Sequence, residues 1–303
     1  MSICVLGIFV ADLCFFAEGI PISGQTILGE KYSMGPGGKG SNQAIAAARL
    51  GGKVSFITKL GQDSYADLAI KLYQESGVNT DGLITLLGEN TGVAGIMIDK
   101  KTGENAINVI PRAANTIDQN FIDANLSIIE NSKIFLTQLE TPINSTLYAL
   151  KIAKNNGCLT ILNPAPAKKI PEEYFKLIDY LTPNEEEASS YTNKEIMSKE
   201  TCREAANYFL DRGVKNIIIT LGDRGCFFKN KNEEFLVSSK KFSFPVVDTT
   251  GAGDAFNGAL SVSLAEGKSN LEAVKFANLA AGISVTREGA THSMPKISEL
   301  EKY

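Results

Sequence analysis

A chain of 303 residues with 30 Lys and Arg, 34 Asp and Glu, a single His and 44% hydrophobic residues has the balance of a globular protein, which excludes collagen-like and disordered classes. Its net charge of -4 gives no overall attraction to phosphate backbones or anionic lipid, so nucleic acid is not an expected partner. No apolar run approaches the ~20 residues of a membrane span, and residues 1–11 lack the basic start and small-residue cleavage site of a signal peptide, so a cytoplasmic location away from membranes is expected.

In chain order, residues 3–9 form a short apolar run of buried-strand type. Residues 13–33 lack helical spacing and read as strands and hairpins. Helical spacing follows over 41–50, an apolar strand over 54–60 and a helix over 65–76. Residues 92–111, with a turn-like DKKTGEN at 99–105, again read as hairpin. Strand and helix then alternate: strand 133–139, helix 142–156, strands 159–162 and 180–182, helix 201–212 and strand 216–221. Such alternation implies an α/β fold, a doubly wound, mostly parallel sheet flanked by helices. The two interruptions, at about 13–33 and 92–111, supply a small β-sheet lid. With no linker or repeat, residues 1–303 are expected to form one domain.

The five cysteines, Cys4, Cys14, Cys158, Cys202 and Cys226, are odd in number and never paired as CxxC, which suits free thiols in a reducing compartment. His292 is the only histidine, so HExxH chemistry is impossible and catalysis points to carboxylates, lysine and backbone amides. His292 itself, in a loop-like stretch, is given no role.

Two glycine segments carry the chemistry. Gly35-Pro36-Gly37-Gly38-Lys39-Gly40 satisfies the letters of a dinucleotide fingerprint but lacks the preceding hydrophobic strand and the following acidic residue. It is no Walker A loop either, since Lys39 precedes Gly40 rather than Ser or Thr. What remains is either a turn for close helix packing or a bare helix start presenting Lys39 and, three residues on, Asn42 to a polyhydroxylated ligand. The second segment, Asp248 to Phe256, runs from extended chain into an apolar helix, which leaves the amides of Gly251, Ala252 and Gly253 unpaired as an anion hole. Asp254 at the same spot is either a favourable first-turn carboxylate or a base beside a transferred phosphoryl group.

Written out, GPGGKGSNQAIAAARLG and DTTGAGDAFNGAL are accompanied by QLE at 138–140, NPAPA at 163–167, LTPNEEE at 181–187 and TLGDRG at 220–225. With these six motifs in order, the chain resembles the ribokinase family of carbohydrate kinases over nearly its whole length. The resemblance implies an ATP-dependent kinase that phosphorylates the primary hydroxyl of a pentose, D-ribose to ribose 5-phosphate first of all. It implies that Asp12, Gly38, Lys39, Asn42 and Glu140 hold the sugar and that Asp254 takes the proton of its hydroxyl. Asn184, Gly253 and the loop with Thr220, Gly222 and Gly225 would contact the ATP phosphates, Asn278 would lie near the adenine or its ribose, and Glu187 would organise Mg²⁺ through waters. K⁺ would bind beside the anion hole within Asp248, Thr250, Ser284, Arg287, Gly289 and Ser293, mostly through backbone oxygens. The resemblance also implies a homodimer formed through the β lid.

One departure concerns the sugar. The family segment G-S-x-N-x-D stands here as Gly7-Ile8-Phe9-Val10-Ala11-Asp12, and Val10 cannot bond a hydroxyl. Phe15 and Phe16 nearby belong either to the lid core or to an enlarged apolar pocket. A nucleoside or other-sugar kinase of the same family therefore stays open, whereas a non-catalytic sugar sensor would leave Asp254 unexplained.

Overall fold

The computed structural model describes residues 2–240, 242 and 245–303. Thirteen strands among them fall into two sheets: β1 (Ser2–Leu6), β2 (Val10–Ala17), β3 (Lys31–Gly37), β4 (Lys53–Gly61), β5 (Leu83–Leu86), β6 (Thr91–Asp99), β7 (Asn105–Arg112), β8 (Ile134–Thr137), β9 (Leu159–Leu162), β10 (Tyr180–Leu181), β11 (Asn216–Thr220), β12 (Cys226–Lys229) and β13 (Glu234–Val237). The nine-stranded sheet has the order β13-β12-β11-β10-β9-β8-β1-β4-β5 and is parallel except for the antiparallel edge made by β12 and β13. Its central strands are unbroken apolar runs because both faces are covered. Ile3 and Val5 of β1 pack into one core and Cys4 and Leu6 into the other, as the two-residue period of a strand requires.

The chain winds outward from β1 in two directions, through β4 and β5 on one side and β8 to β11 on the other. The crevice beyond the carboxyl ends of β1 and β8 is therefore the switch point at which such sheets bind ligands. The loops that follow β1, β8, β9 and β10 deliver Gly7, Gln138, Asn163 and Asn184 to that edge.

The second sheet has the order β3-β2-β6-β7. It starts earlier than the expected 13–33 and 92–111, because Val10 pairs with both Gly37 and Gly92. Gly35, Pro36 and Gly37 are thus the end of a strand and not a loop. Proline is tolerated there because β3 is an edge strand. At its root the lid shares a core with the main sheet, since Val10, Ala94 and Ile96 pack in the same cluster as Leu6 and Phe135. Phe15 lies in neither core and is 42% exposed.

The helices Lys39–Arg49, Ser64–Ser76, Ile143–Asn155 and Lys199–Leu210 occupy the four segments with helical spacing. The last begins two residues early because the Ser198 hydroxyl accepts from the Thr201 amide in a capping box. Two further helices, Ala252–Ala265 and Asn270–Ser284, cover the face behind the second glycine segment. Among the described residues no helix is long and apolar enough to cross a membrane, and the five cysteines are free thiols.

Candidate active site

The first glycine segment is shaped by contacts that exclude side chains. Gly38 caps the helix Lys39–Arg49 with φ 89°, and a Cβ there would come within 2.6 Å of the Ile8 carbonyl oxygen. A Cβ on Gly37 would sit on the Asp12 carboxylate, so the bare backbone is what lets Asp12 lie against the helix start. The Lys39 amide donates to Glu140 Oε2 at 2.8 Å, which ties the loop after β8 to the same point. The structure brings Val10, Asp12, Gly38, Lys39 and Glu140 together at the start of this helix.

The second segment differs from expectation in one amide. Gly251 adopts φ 79° and caps the helix Ala252–Ala265. The Ala252 amide is not free, because the chain tightens into a turn and it donates to the Thr249 carbonyl at 3.2 Å. Among the described residues the amides of Gly251 and Gly253 have no backbone partner, so two donors rather than three are free for the expected anion hole. They open into a cavity also lined by Lys39, Asn184, Glu187 and Asp254.

Asp254 is only 6% exposed and accepts two hydrogen bonds from the first helix, Oδ2 from Asn42 Nδ2 and Oδ1 from Gln43 Nε2, both at 2.9 Å. Burial pushes its pKa up, while the Lys39 ammonium and the two amides pull it back. The side chain of Asn42, expected to serve a ligand, is thus already committed on both atoms, since its Oδ1 accepts from the Thr291 hydroxyl at 2.5 Å. One Nδ2 proton remains. Gln43 was missed from sequence; the available signal was an amide side chain among small residues on a helix face otherwise made for burial.

Asp12 and Glu140 are each pushed up to about 7, chiefly by burial, with the Asp254 charge adding and Lys39 opposing. Burial likewise raises Glu187. Burial alone would lower Lys39, but the carboxylates of Asp254, Glu140, Glu187 and Asp12 more than offset it and its pKa is raised. One ammonium therefore faces four carboxylates. A carboxyl whose folded pKa lies above its unfolded value costs stability progressively as pH rises from the unfolded value through the folded one. Glu140→Gln, which keeps an acceptor for the Lys39 amide, is accordingly expected to raise the melting temperature at pH 8 and to leave it unchanged at pH 4. Paired thermal melts at the two pH values read this directly, and an equal gain at both would contradict it.

Asn184 and Thr220, expected at the phosphates of a nucleotide, sit side by side through an isolated parallel bridge. Asn184 Oδ1 accepts from the Glu187 amide at 2.7 Å and Glu187 Oε2 from the Asn184 amide at 2.9 Å, a capping box for the helix Glu185–Thr192. At 7% exposure Glu187 is no part of a solvated helix face, although it borders the cavity. Gly222 and Gly225 line neither this cavity nor the next. They close a tight loop in which the Leu221 amide donates to the Gly225 carbonyl at 2.8 Å. Asn278 borders a second cavity with Leu236, Leu271 and Tyr303, and its Nδ2 donates to the Ser238 carbonyl at 3.0 Å.

Asp248 joins the two loops expected to bind a cation. Its Oδ1 accepts from the Thr250 amide at 2.9 Å and its Oδ2 from the Gly289 amide at 2.8 Å. Burial works against its charge, yet these bonds leave its pKa lowered. The Ser284 and Ser293 hydroxyls donate to the carbonyls of Ala281 and Ala290, and Arg287 pairs with Glu299 at 2.5 Å. These side chains are engaged locally, and His292 nearby is exposed.

The sequence profile of the pfkB family of carbohydrate kinases matches residues 1–297. The chain is 39% identical over 302 residues to the ribokinase of Haemophilus influenzae, covering 100% of this chain and 98% of that protein. Its structure is similar to that of ribokinase from Thermotoga maritima, with a TM-score of 0.89 at 40% identity over 99% of this chain and 98% of the other. It is also similar to Arabidopsis thaliana ribokinase complexed with ribose and ATP, with a TM-score of 0.90 at 32% identity over 99% and 97% of the two chains.

Proposed function

The chain belongs to the pfkB family of carbohydrate kinases, and on that premise we propose that it transfers the γ-phosphoryl group of ATP to the primary hydroxyl of D-ribose, giving ribose 5-phosphate and ADP. The observation that carries the reading is a buried carboxylate, Asp254, placed beside two free helix-start amides, since a base next to an anion hole suits a reacting phosphate better than a resting one. Asp254 accepts the hydroxyl proton as the sugar oxygen bonds to the γ-phosphorus and the bond from phosphorus to the β-bridging oxygen breaks, so that ADP leaves. The amides of Gly251 and Gly253 and the Lys39 ammonium face the charge on the transferred group. Phosphoryl transfer asks for this alignment and neutralisation more than for covalent help.

Asp12, Glu140, Gly38 and the remaining Asn42 proton are the sugar contacts in this reading, with Asn184 and Thr220 at the phosphates and Asn278 at the base end. Glu187 fits Mg²⁺, being a buried carboxylate on the cavity wall next to Asn184, and the ion when bound supplies neutralisation of the phosphate charges. Val10, 2% exposed and packed with Leu6 and Phe135, leaves an apolar wall where a hydroxyl partner would stand.

Residues 1–303 act in this reading as one domain with an inserted lid, as the shared core at the lid root supports. The open edge strand β7, with Ile107 and Val109 exposed, suits pairing with a second copy into a homodimer. Five free thiols fit the reducing cytoplasm. ADP release across pentoses, 2-deoxyribose, hexoses and nucleosides tests the assignment. Ribose is expected to be turned over, and use of a nucleoside or hexose with no turnover of ribose would overturn it.

A potassium ion beside Asp248 would preorganise the anion hole by fixing the loops that precede Gly251 and follow Ser284. The Asp248 carboxylate already joins those loops through the Thr250 and Gly289 amides, so backbone oxygens are the remaining ligands. Turnover is expected to rise several-fold when potassium replaces sodium at constant ionic strength, with Asp248→Ala losing most of the response. Equal rates in both salts would leave Asp248 as a loop tie alone.

A further inference from the structure

The Asp254 carboxylate is met by two side-chain amides, and an amide can present either its N–H or its oxygen. Which face it presents is decided by what its other end meets. Asn42 offers Nδ2 to Asp254 because its Oδ1 is taken by the Thr291 hydroxyl at 2.5 Å. The single proton of that hydroxyl has a second acceptor, the Pro36 carbonyl oxygen at 2.9 Å, of which Asn42 Oδ1 is the nearer, and Thr291 is fully buried. Gln43 offers Nε2 to Asp254 because its Oε1 accepts from Gln138 Nε2 at 2.6 Å. The second Nε2 proton of Gln43 goes to Asn163 Oδ1 at 3.1 Å. Asn163 is turned in its own right, since its Nδ2 donates to the Thr182 carbonyl at 3.1 Å.

The alternative orientations fail on counting. If Gln43 were reversed, its oxygen would face Asp254 Oδ1 and Asn163 Oδ1 with no proton among the three. If Gln138 were reversed, its oxygen would face the Gln43 oxygen. Gln138 keeps the productive orientation at a cost, because its Oε1 is buried with no partner among the described residues. A buried polar atom left unmatched on one side of a relay whose other members are all paired marks a direction that is imposed, not chosen locally.

We propose that Thr291 and Gln138 are positioning residues for the transfer reaction, which act through Asn42 and Gln43 to aim two N–H donors at Asp254 and hold its carboxylate as an acceptor. The inference rests on the kinase reading above and adds to it the residues that set the base. Without the hydroxyl or the distal amide, Asn42 or Gln43 is free to turn, and an oxygen turned toward Asp254 is compatible only with a protonated acid. The charged groups that face Asp254 are unchanged by either substitution: Lys39 on the first helix, Asp12 on β2, Glu140 after β8 and Glu187 on the helix Glu185–Thr192.

Thr291→Val keeps shape and removes the donor, whereas Thr291→Ser restores it; Gln138→Leu approaches the carboxylate from its other side. The full-length protein labelled with ¹³C at aspartate carboxyls, with the Asp254 signal assigned by its loss in Asp254→Asn, reports the titration of this one group without any substrate. Its midpoint is expected to move to higher pH in Thr291→Val and in Gln138→Leu and to return to the wild-type position in Thr291→Ser. Turnover with ribose should follow, falling about tenfold at neutral pH as expected for one lost hydrogen bond, with KM for ribose and ATP less affected and the acid limb of the rate profile displaced the same way. An Asp254 titration in folded Thr291→Val and Gln138→Leu that coincides with wild type would overturn the proposal. Absence of ADP release by the wild-type protein would instead remove the kinase reading, and the carboxyl titration would still decide the orientation relay.

Discussion

Asp254→Asn is expected to lower turnover by about 10²–10⁴-fold, the usual contribution of a positioned base, in a protein that still folds and still binds ATP. The substitution preserves volume but not function, since an amide cannot take a proton from a sugar hydroxyl. It also meets two donors, Asn42 Nδ2 and Gln43 Nε2, with only one acceptor atom, so one of the two bonds to the first helix is lost. The residues proposed to contact the nucleotide, Asn184, Thr220 and Asn278, make no hydrogen bond to the Asp254 carboxylate, whose partners are Asn42 and Gln43. Steady-state ADP release gives the rate, and calorimetric ATP titration with a thermal melt gives binding and folding. A rate within a few-fold of wild type on folded protein would reject Asp254 as the base.

Lys39→Met is expected to be comparably damaging, through charge instead of proton transfer. Lys39 is the cation that lowers the pKa of Asp12, Glu140, Glu187 and Asp254 together. With it gone, burial acts unopposed by any ammonium, the carboxyls hold their protons to higher pH, and a protonated Asp254 is no base. Loss of an electrostatic donor at a transferred phosphoryl group is itself worth about 10²–10³-fold in turnover. The acid limb of the rate profile should therefore move toward alkaline pH while the maximum drops by that order. Lys39→Arg is not expected to rescue, because the planar guanidinium is broader than the ammonium it replaces and the half-buried side chain lines the same cavity as Asp254. A rate profile of wild-type shape and height would refute the assignment.

The strands of the main sheet are legible in the chain because two-sided burial leaves short apolar runs such as residues 159–162, which the structure reproduces as Leu159–Leu162. The lid is legible only in outline. Its strand β3 ends in Gly35-Pro36-Gly37, a composition depleted from strands, and is held there by pairing with Val10 to Asp12 at the far side of a long excursion. The edge hairpin of β12 and β13 is not legible for a related reason: its fully buried residues, Cys226, Phe227 and Phe228, are too short a run to mark a strand, and β13 is only partly buried.

The site divides in the same way. Glycine segments announce themselves through local sequence, and so does an acid at a helix start. The amide relay does not, because each side chain is given its role by a partner far along the chain: Gln43 by Asp254 at a separation of 211 residues, Asn42 by Thr291 at 249. Ala252 was misjudged on a smaller scale, by a turn that consumes an amide the bare helix pattern leaves free.

Gly258 has a consequence of another kind. A Cβ at this position would lie 2.6 Å from Ala46 Cβ and 2.9 Å from the Ala47 nitrogen, so the helices Lys39–Arg49 and Ala252–Ala265 touch backbone to backbone, and that contact sets Gln43 and Asn42 against Asp254. The two halves of the reaction centre are thus made early and late in synthesis. A chain on the ribosome displays Lys39 and its glycine segment long before any base exists to work with them, and domains fill in their distant contacts last. Any product released short of Asp254 keeps the cationic half and lacks both the carboxylate and the helix contact at Gly258, so it can neither align nor deprotonate a sugar. Translation errors and clipping from that end consequently yield silent protein rather than a kinase with loosened control.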